Sequence, residues 1–88
     1  MTAAPIKLLY FAWVRDRIGL AEESVTPPTE ITDVAALIAW LKTRGPRYEA
    51  ALKNDRVVRV AINQRFAKPE DAISPGDEIA VFPPVTGG

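Results

Sequence analysis

Ser74-Pro75-Gly76-Asp77-Glu78-Ile79-Ala80-Val81-Phe82-Pro83-Pro84-Val85-Thr86-Gly87-Gly88 is the stretch that decides how this chain folds. Ser-Pro-Gly-Asp is a turn signal: proline presets φ, glycine accepts a positive φ, and the flanking polar side chains bond back to the backbone. Glu78 to Phe82 then predicts the last strand, with Ile79 and Val81 on one face and Ala80 and Phe82 on the other. Pro83 and Pro84 take away two backbone donors, so the strand stops there and the chain beyond is stiffened and projected outward. Gly87 and Gly88 lack Cβ and can pass through a channel too narrow for other residues. By composition alone, such an end fits a frayed terminus as well as a functional tip.

Working back from that strand, Arg56 to Ile62 alternates with period two, Val58, Val60 and Ile62 facing one way and Val57, Arg59 and Ala61 the other. Asn63 and Gln64 turn the chain toward Phe66, and Lys68, Pro69 and Glu70 start a short crossover. Val34, Leu37, Ile38 and Leu41 occupy one face of a helix, with Thr32 and Asp33 as its cap and Gly45-Pro46 as its stop. Trp40 lies beside that stripe at the core edge, and Tyr48 to Leu52 makes a second short helical segment.

At the other end, Ile6 to Trp13 predicts a strand apolar on both faces except for Lys7, which suits a central position. Arg15, Asp16, Arg17 and Gly19 follow as a polar loop, and Glu22 to Val25 returns as a more exposed strand closed by Pro27 and Pro28. Strand, strand, helix, strand, strand is the order of an α+β, ubiquitin-like β-grasp fold: a mixed sheet packed on one main helix, its first and last strands parallel neighbours at the centre. The body is expected to occupy residues 1–82 and an extended Gly-Gly tail residues 83–88.

Eighty-eight residues hold one modest core and leave little room for a deep pocket, so a partner is expected to supply one. Eleven basic and eleven acidic residues give no general electrostatic reason to bind nucleic acid or an anionic membrane. There is no cysteine and no histidine, which removes disulfides, thiolate metal sites and the usual neutral-pH acid or base. The apolar runs fall far short of the roughly 20 residues that span a bilayer. Met1 to Pro5 carries no basic leader, so the expected location is the cytoplasm.

The remaining candidate reactive group is the Gly88 carboxylate. A carboxylate is a poor acyl electrophile until it is activated. Adenylation would give it a good leaving group, and attack by sulfide or persulfide would then make a thiocarboxylate without any side chain of this protein. The sequence has no phosphate-binding glycine loop and no cluster of metal ligands. Asp16, Glu22, Glu23 and Asp77 read as solvent-exposed or turn-capping carboxylates. Nucleotide binding and catalysis are therefore expected on partners. Phe11 and Phe82 are expected to share the sheet face opposite the helix, near the tail exit, either as a docking patch or as core. Arg15 and Arg17 are candidates to meet partner carboxylates.

Three stretches carry a family resemblance: Ile6-Lys7-Leu8-Leu9-Tyr10-Phe11-Ala12 with Val14-Arg15 and Gly19, Val60-Ala61-Ile62-Asn63-Gln64, and Pro75 through Gly88 ending Phe-Pro-Pro-Val-Thr-Gly-Gly. Together they resemble the ubiquitin-like sulfur carriers that form the small subunit of molybdopterin synthase. The resemblance implies that Gly88 is adenylated with consumption of ATP, becomes a thiocarboxylate and, with Gly87, Thr86, Val85, Pro84 and Pro83 as the inserted tail, donates sulfur to cyclic pyranopterin monophosphate. It implies a large-subunit partner in a heterotetramer, an adenylating enzyme and a sulfur-supplying enzyme, with no tightly bound cofactor and no metal. It also implies that Phe11 and Phe82, and more weakly Arg15, contact the large subunit. Trp13 departs from a pattern that is often more polar there. The related sulfur carrier of thiamine thiazole synthesis, and a β-grasp adapter whose tail merely docks, remain as alternatives.

Overall fold

The computed structural model describes residues 4–54 and 57–84. β1 (Ile6–Tyr10) buries Ile6, Leu8 and Tyr10 and turns Lys7 and Leu9 to its other face, and β5 (Glu78–Phe82) buries Ile79 and Val81 in the same way. The two run parallel, Leu8 opposite Ile79 and Tyr10 opposite Val81. β2 (Glu22–Val25) lies antiparallel on the outside of β1, while β3 (Arg59–Ile62) and β4 (Arg65–Ala67) continue the sheet beyond β5, giving the order β2-β1-β5-β3-β4 among the described residues. The central parallel pair follows the sequence expectation. Both its strands are flanked on each side, which satisfies their backbone groups within the sheet.

The central helix is α2 (Val34–Lys42). Asp33 Oδ1 accepts from the Ala36 N–H at 2.8 Å, and Val34, Leu37, Ile38 and Leu41 are all buried. They meet Ile6, Leu8, Tyr10, Val60, Ile79 and Val81 in one core, each large aliphatic side chain worth roughly 1.5–3 kcal/mol of burial. Gly45 and Pro46 do more than stop α2. Pro46 opens α3 (Pro46–Leu52), where its missing N–H costs nothing, and Ala51 and Leu52 add to the core. Sheet order and covering helices make a β-grasp fold.

Two segments depart from the sequence expectation. The first strand ends at Tyr10, and Ala12–Ile18, expected as strand end and polar loop, forms the helix α1. Arg15, Asp16 and Arg17 therefore stand on a helix, and Trp13 belongs to it too. Val14 and Ile18, four apart, are both buried, and Gly19 closes the helix at φ 90°, donating its N–H to the Arg15 carbonyl at 2.8 Å. Arg15 and Arg17 sit in the last turn, where cations suit the helix dipole. The sheet is also one strand wider than expected. Asn63 and Gln64 both adopt positive φ, 50° and 70°, the hand that two-residue hairpins need, and Arg65–Ala67 pairs back on β3 before any crossover begins. Of the expected strand from Arg56, the regular ladder begins only at Arg59, although Val58 is buried, and Arg56 lies outside the described residues.

Candidate functional site

The sheet face turned away from the core is built by strand register. One row crosses it as Glu22, Leu9, Ala80, Ala61 and Phe66, each opposite the next. Phe82 and Arg59 face each other one step nearer the end of β5. Phe11 keeps extended angles, φ −132° and ψ 153°, and its N–H donates to the Val81 carbonyl at 3.2 Å, so it continues β1 onto the same face as Leu9. The structure thus brings Phe11 and Phe82 onto one face, as expected from their alternation. Phe82 is half-buried and its ring lies 6.1 Å from that of Phe66, tilted by 51°.

Phe66 is 83% exposed and Phe11 46%. Sequence reading placed Phe66 after a turn without giving it a role. The signal was there: an aromatic two residues past a tight Asn-Gln turn must lie on one face of whatever strand returns. Small Ala61 and Ala80 keep the middle of the face flat, so the aromatic rings rim a shallow apolar surface rather than a pocket.

Ala12 makes that arrangement possible. Its φ of 54° lies in the left-handed region, at a cost of about 1–2 kcal/mol for a residue with a Cβ. The kink lets the chain leave the sheet immediately after Phe11 and enter α1. Arg15, whose N–H donates to the Phe11 carbonyl at 3.3 Å, stands one turn along that helix, off the sheet face. Its guanidinium is 3.5 Å from Asp16, and both side chains are exposed. Arg17 stacks over Trp13 at 4.6 Å from the ring centre.

β5 ends at Phe82, and Pro83 and Pro84 follow without regular structure, so the root of the tail stands at the edge of the apolar face. Val85, Thr86, Gly87 and Gly88, the residues expected to carry the chemistry, lie outside the described residues.

The acidic side chains hold the fold. Glu22 pairs with Lys7 at 3.2 Å. Asp77 accepts from the Ser74 N–H at 2.8 Å and from the Asn63 side chain at 3.0 Å, closing the turn before β5. Glu23, unremarked in the sequence beyond its charge, is a hub: one carboxylate oxygen accepts from the Tyr10 hydroxyl at 2.7 Å and the Tyr48 hydroxyl at 2.8 Å, the other from Arg44 at 3.0 Å. Arg44 lies over the rings of Trp40 and Tyr48. Burial, then the bond to Glu23, holds the Tyr10 hydroxyl protonated far above the ordinary phenol range, and the same two causes in the same order raise Tyr48. Among the described residues no group of three or more acidic side chains gathers as for a metal ion.

A β-grasp body whose last, central strand runs into a proline-stiffened tail beside an apolar face defines a ubiquitin-like protein. Residues 8–88 match the ThiS family. The molybdopterin synthase sulfur carrier subunit of Haemophilus influenzae is 36% identical over 83 residues, covering 94% of this chain and 99% of the relative. The Escherichia coli protein of the same name is 35% identical with the same coverage. Among solved structures, a protein described as a putative molybdopterin converting factor subunit 1 from Pyrococcus furiosus superposes with a TM-score of 0.76 at 32% identity, over 94% of this chain and all of that one. A complex of subunits 1 and 2 of the molybdopterin-converting factor of Helicobacter pylori contains a chain of the same fold, TM-score 0.62 at 20% identity, over 96% of this chain and 99% of that one. The chain belongs to the ThiS family, in its group of molybdopterin synthase sulfur carrier subunits.

Proposed function

We propose that the Gly88 carboxylate is the working group of this carrier. A partner enzyme adenylates it: a carboxylate oxygen bonds to the α-phosphorus of ATP and pyrophosphate leaves. Sulfur from a second partner then attacks the acyl carbon and AMP departs, leaving a thiocarboxylate. The loaded tail enters the large subunit of the synthase, which supplies the pocket and catalytic side chains, and gives its sulfur to cyclic pyranopterin monophosphate. Two carriers at the ends of a large-subunit dimer would provide the two sulfurs of a dithiolene. No tightly bound cofactor is required on this chain, ATP is consumed by the partner, and the work takes place in the cytoplasm.

The observation that carries this reading is the rooting of the tail on β5 at the edge of the apolar face of Phe11, Phe66 and Phe82. Docking that face would hold the tail's root while its tip reaches into the partner. The complex of the two converting-factor subunits from Helicobacter pylori supports a large-subunit partner. Phe11 and Phe82 fit a contact role there, with Phe66 beside them, and Arg15 one turn away could reach its rim.

Incubation with the adenylating enzyme, ATP and a sulfur source should replace one oxygen by sulfur at the C-terminus, read by intact mass. An unchanged mass beside a working control carrier would overturn the reading. Adding large subunit and pyranopterin precursor then separates molybdopterin synthesis from a thiazole-forming role. Deletion of Gly87 and Gly88 should leave large-subunit binding in place and abolish dithiolene formation, whereas a docking adapter would lose only affinity.

A further inference from the structure

The residue opposite Phe82 breaks the chemistry of the face. Arg59 is exposed and pairs directly with Phe82, the last residue of β5 before the tail, at a position where the row nearest it offers Leu9, Ala80, Ala61 and Phe66. β4 stops with Ala67 opposite Val60, and the Lys68 N–H turns instead to Asp71 at 2.9 Å, so the regular ladder on that side ends before Arg59. Arg59 therefore occupies an open corner of the sheet. On one side is the aromatic pair Phe66 and Phe82; on the other is an apolar hollow of about 300 Å³ walled by Val34, Ile38, Val58 and Pro69, which Arg59 also lines. The acidic residues of the face, Glu22 and Glu78, lie in other rows, opposite Leu9 and Lys7.

A guanidinium at the root of the tail sits where the rim of a partner's channel must come closest. Its fixed fork of donors matches a carboxylate, and beside apolar groups that exclude water such a pair is stronger than in the open. We infer that Arg59 is a specificity residue of the docking face, and that the large subunit presents an aspartate or glutamate to it at the mouth of its tail channel. This rests on the reading that the face docks the large subunit. The aromatic rings supply apolar contact that many partners could satisfy. Arg59 adds a charge that a partner with a basic or apolar mouth meets at a penalty.

The test is the association rate of the full-length chain with its large subunit at low and high ionic strength, for Arg59→Glu, Arg59→Leu and Phe66→Ala. Arg59→Leu retains an apolar stem and serves if the charge reversal disturbs folding. Arg59→Glu should slow association by about tenfold or more at low salt, and Arg59→Leu should flatten its salt dependence. Rates and salt dependence like those of the parent for both Arg59 variants, with Phe66→Ala weakening the complex, would overturn the role of Arg59 and leave the docking face standing. An unchanged complex for all three would overturn the docking face itself.

Discussion

Phe66 and Glu23 are side chains of opposite kinds, and substitution should separate them. Phe66 is 83% exposed, so Phe66→Ala should cost the isolated protein less than about 0.5 kcal/mol while weakening the large-subunit complex by about 1–2 kcal/mol, measured by chemical denaturation and by titration calorimetry. Glu23→Ala removes the acceptor for two tyrosine hydroxyls and a guanidinium, one hydroxyl being fully buried, and should cost about 1–3 kcal/mol of folding stability. The same hub sets the alkaline limit. Tyr10 and Tyr48 are raised in the folded state, so the protonated hydroxyl is favoured by folding and its contribution is fully present below the unfolded value, about 10. As pH rises through that value, the unfolded chain releases protons that the native state retains, and stability falls. Denaturation midpoints should therefore decline between about pH 9 and about pH 11, and replacing both tyrosines by phenylalanine should remove most of that slope. The Glu23 hub was not legible in the sequence, because its members are 13 to 25 residues apart from Glu23 and only the sheet and α3 bring them together.

At the scale of elements, strong periodicity was read correctly and short elements were not. α2 presents four apolar residues on one stripe with an aspartate cap, and β5 is bounded by a turn and two prolines, so each element carries its own limits. α1 has only Val14 and Ile18 as its buried pair and is otherwise marked by charge, which in isolation looks like a loop. What fixes it is tertiary: packing against α3 and β5, and the left-handed step at Ala12. Ala12→Gly should relieve that step and raise stability by up to about 1 kcal/mol, seen as a higher Tm. β4 is three residues long, beyond the resolution of any alternation, and its existence rests on the turn. Asn63 holds that turn to β5: its side-chain oxygen accepts from the Glu78 N–H at 3.0 Å while its own N–H donates to the Glu78 carbonyl at 2.7 Å. Asn63→Ala should lose about 1–2 kcal/mol, and hydrogen exchange should report the opening of β4 before that of β1.

For the whole molecule, the first and last strands meet at the centre of the sheet, and that parallel pair was foreseeable because both stretches are apolar enough to be covered on either side. The Phe11 and Phe82 face followed from their alternation in sequence, whereas Phe66 required the fifth strand. The pairing has a mechanical consequence. β5 is laced on one side to β1 and on the other to β3, so a pull on the tail is directed along the strand and loads both ladders in shear. Shear strains many hydrogen bonds together, whereas peeling opens them one at a time. A partner that grips and draws on the tail would meet a stiff handle, and the body would hold its shape under tension while the tip is drawn in, reacted and released.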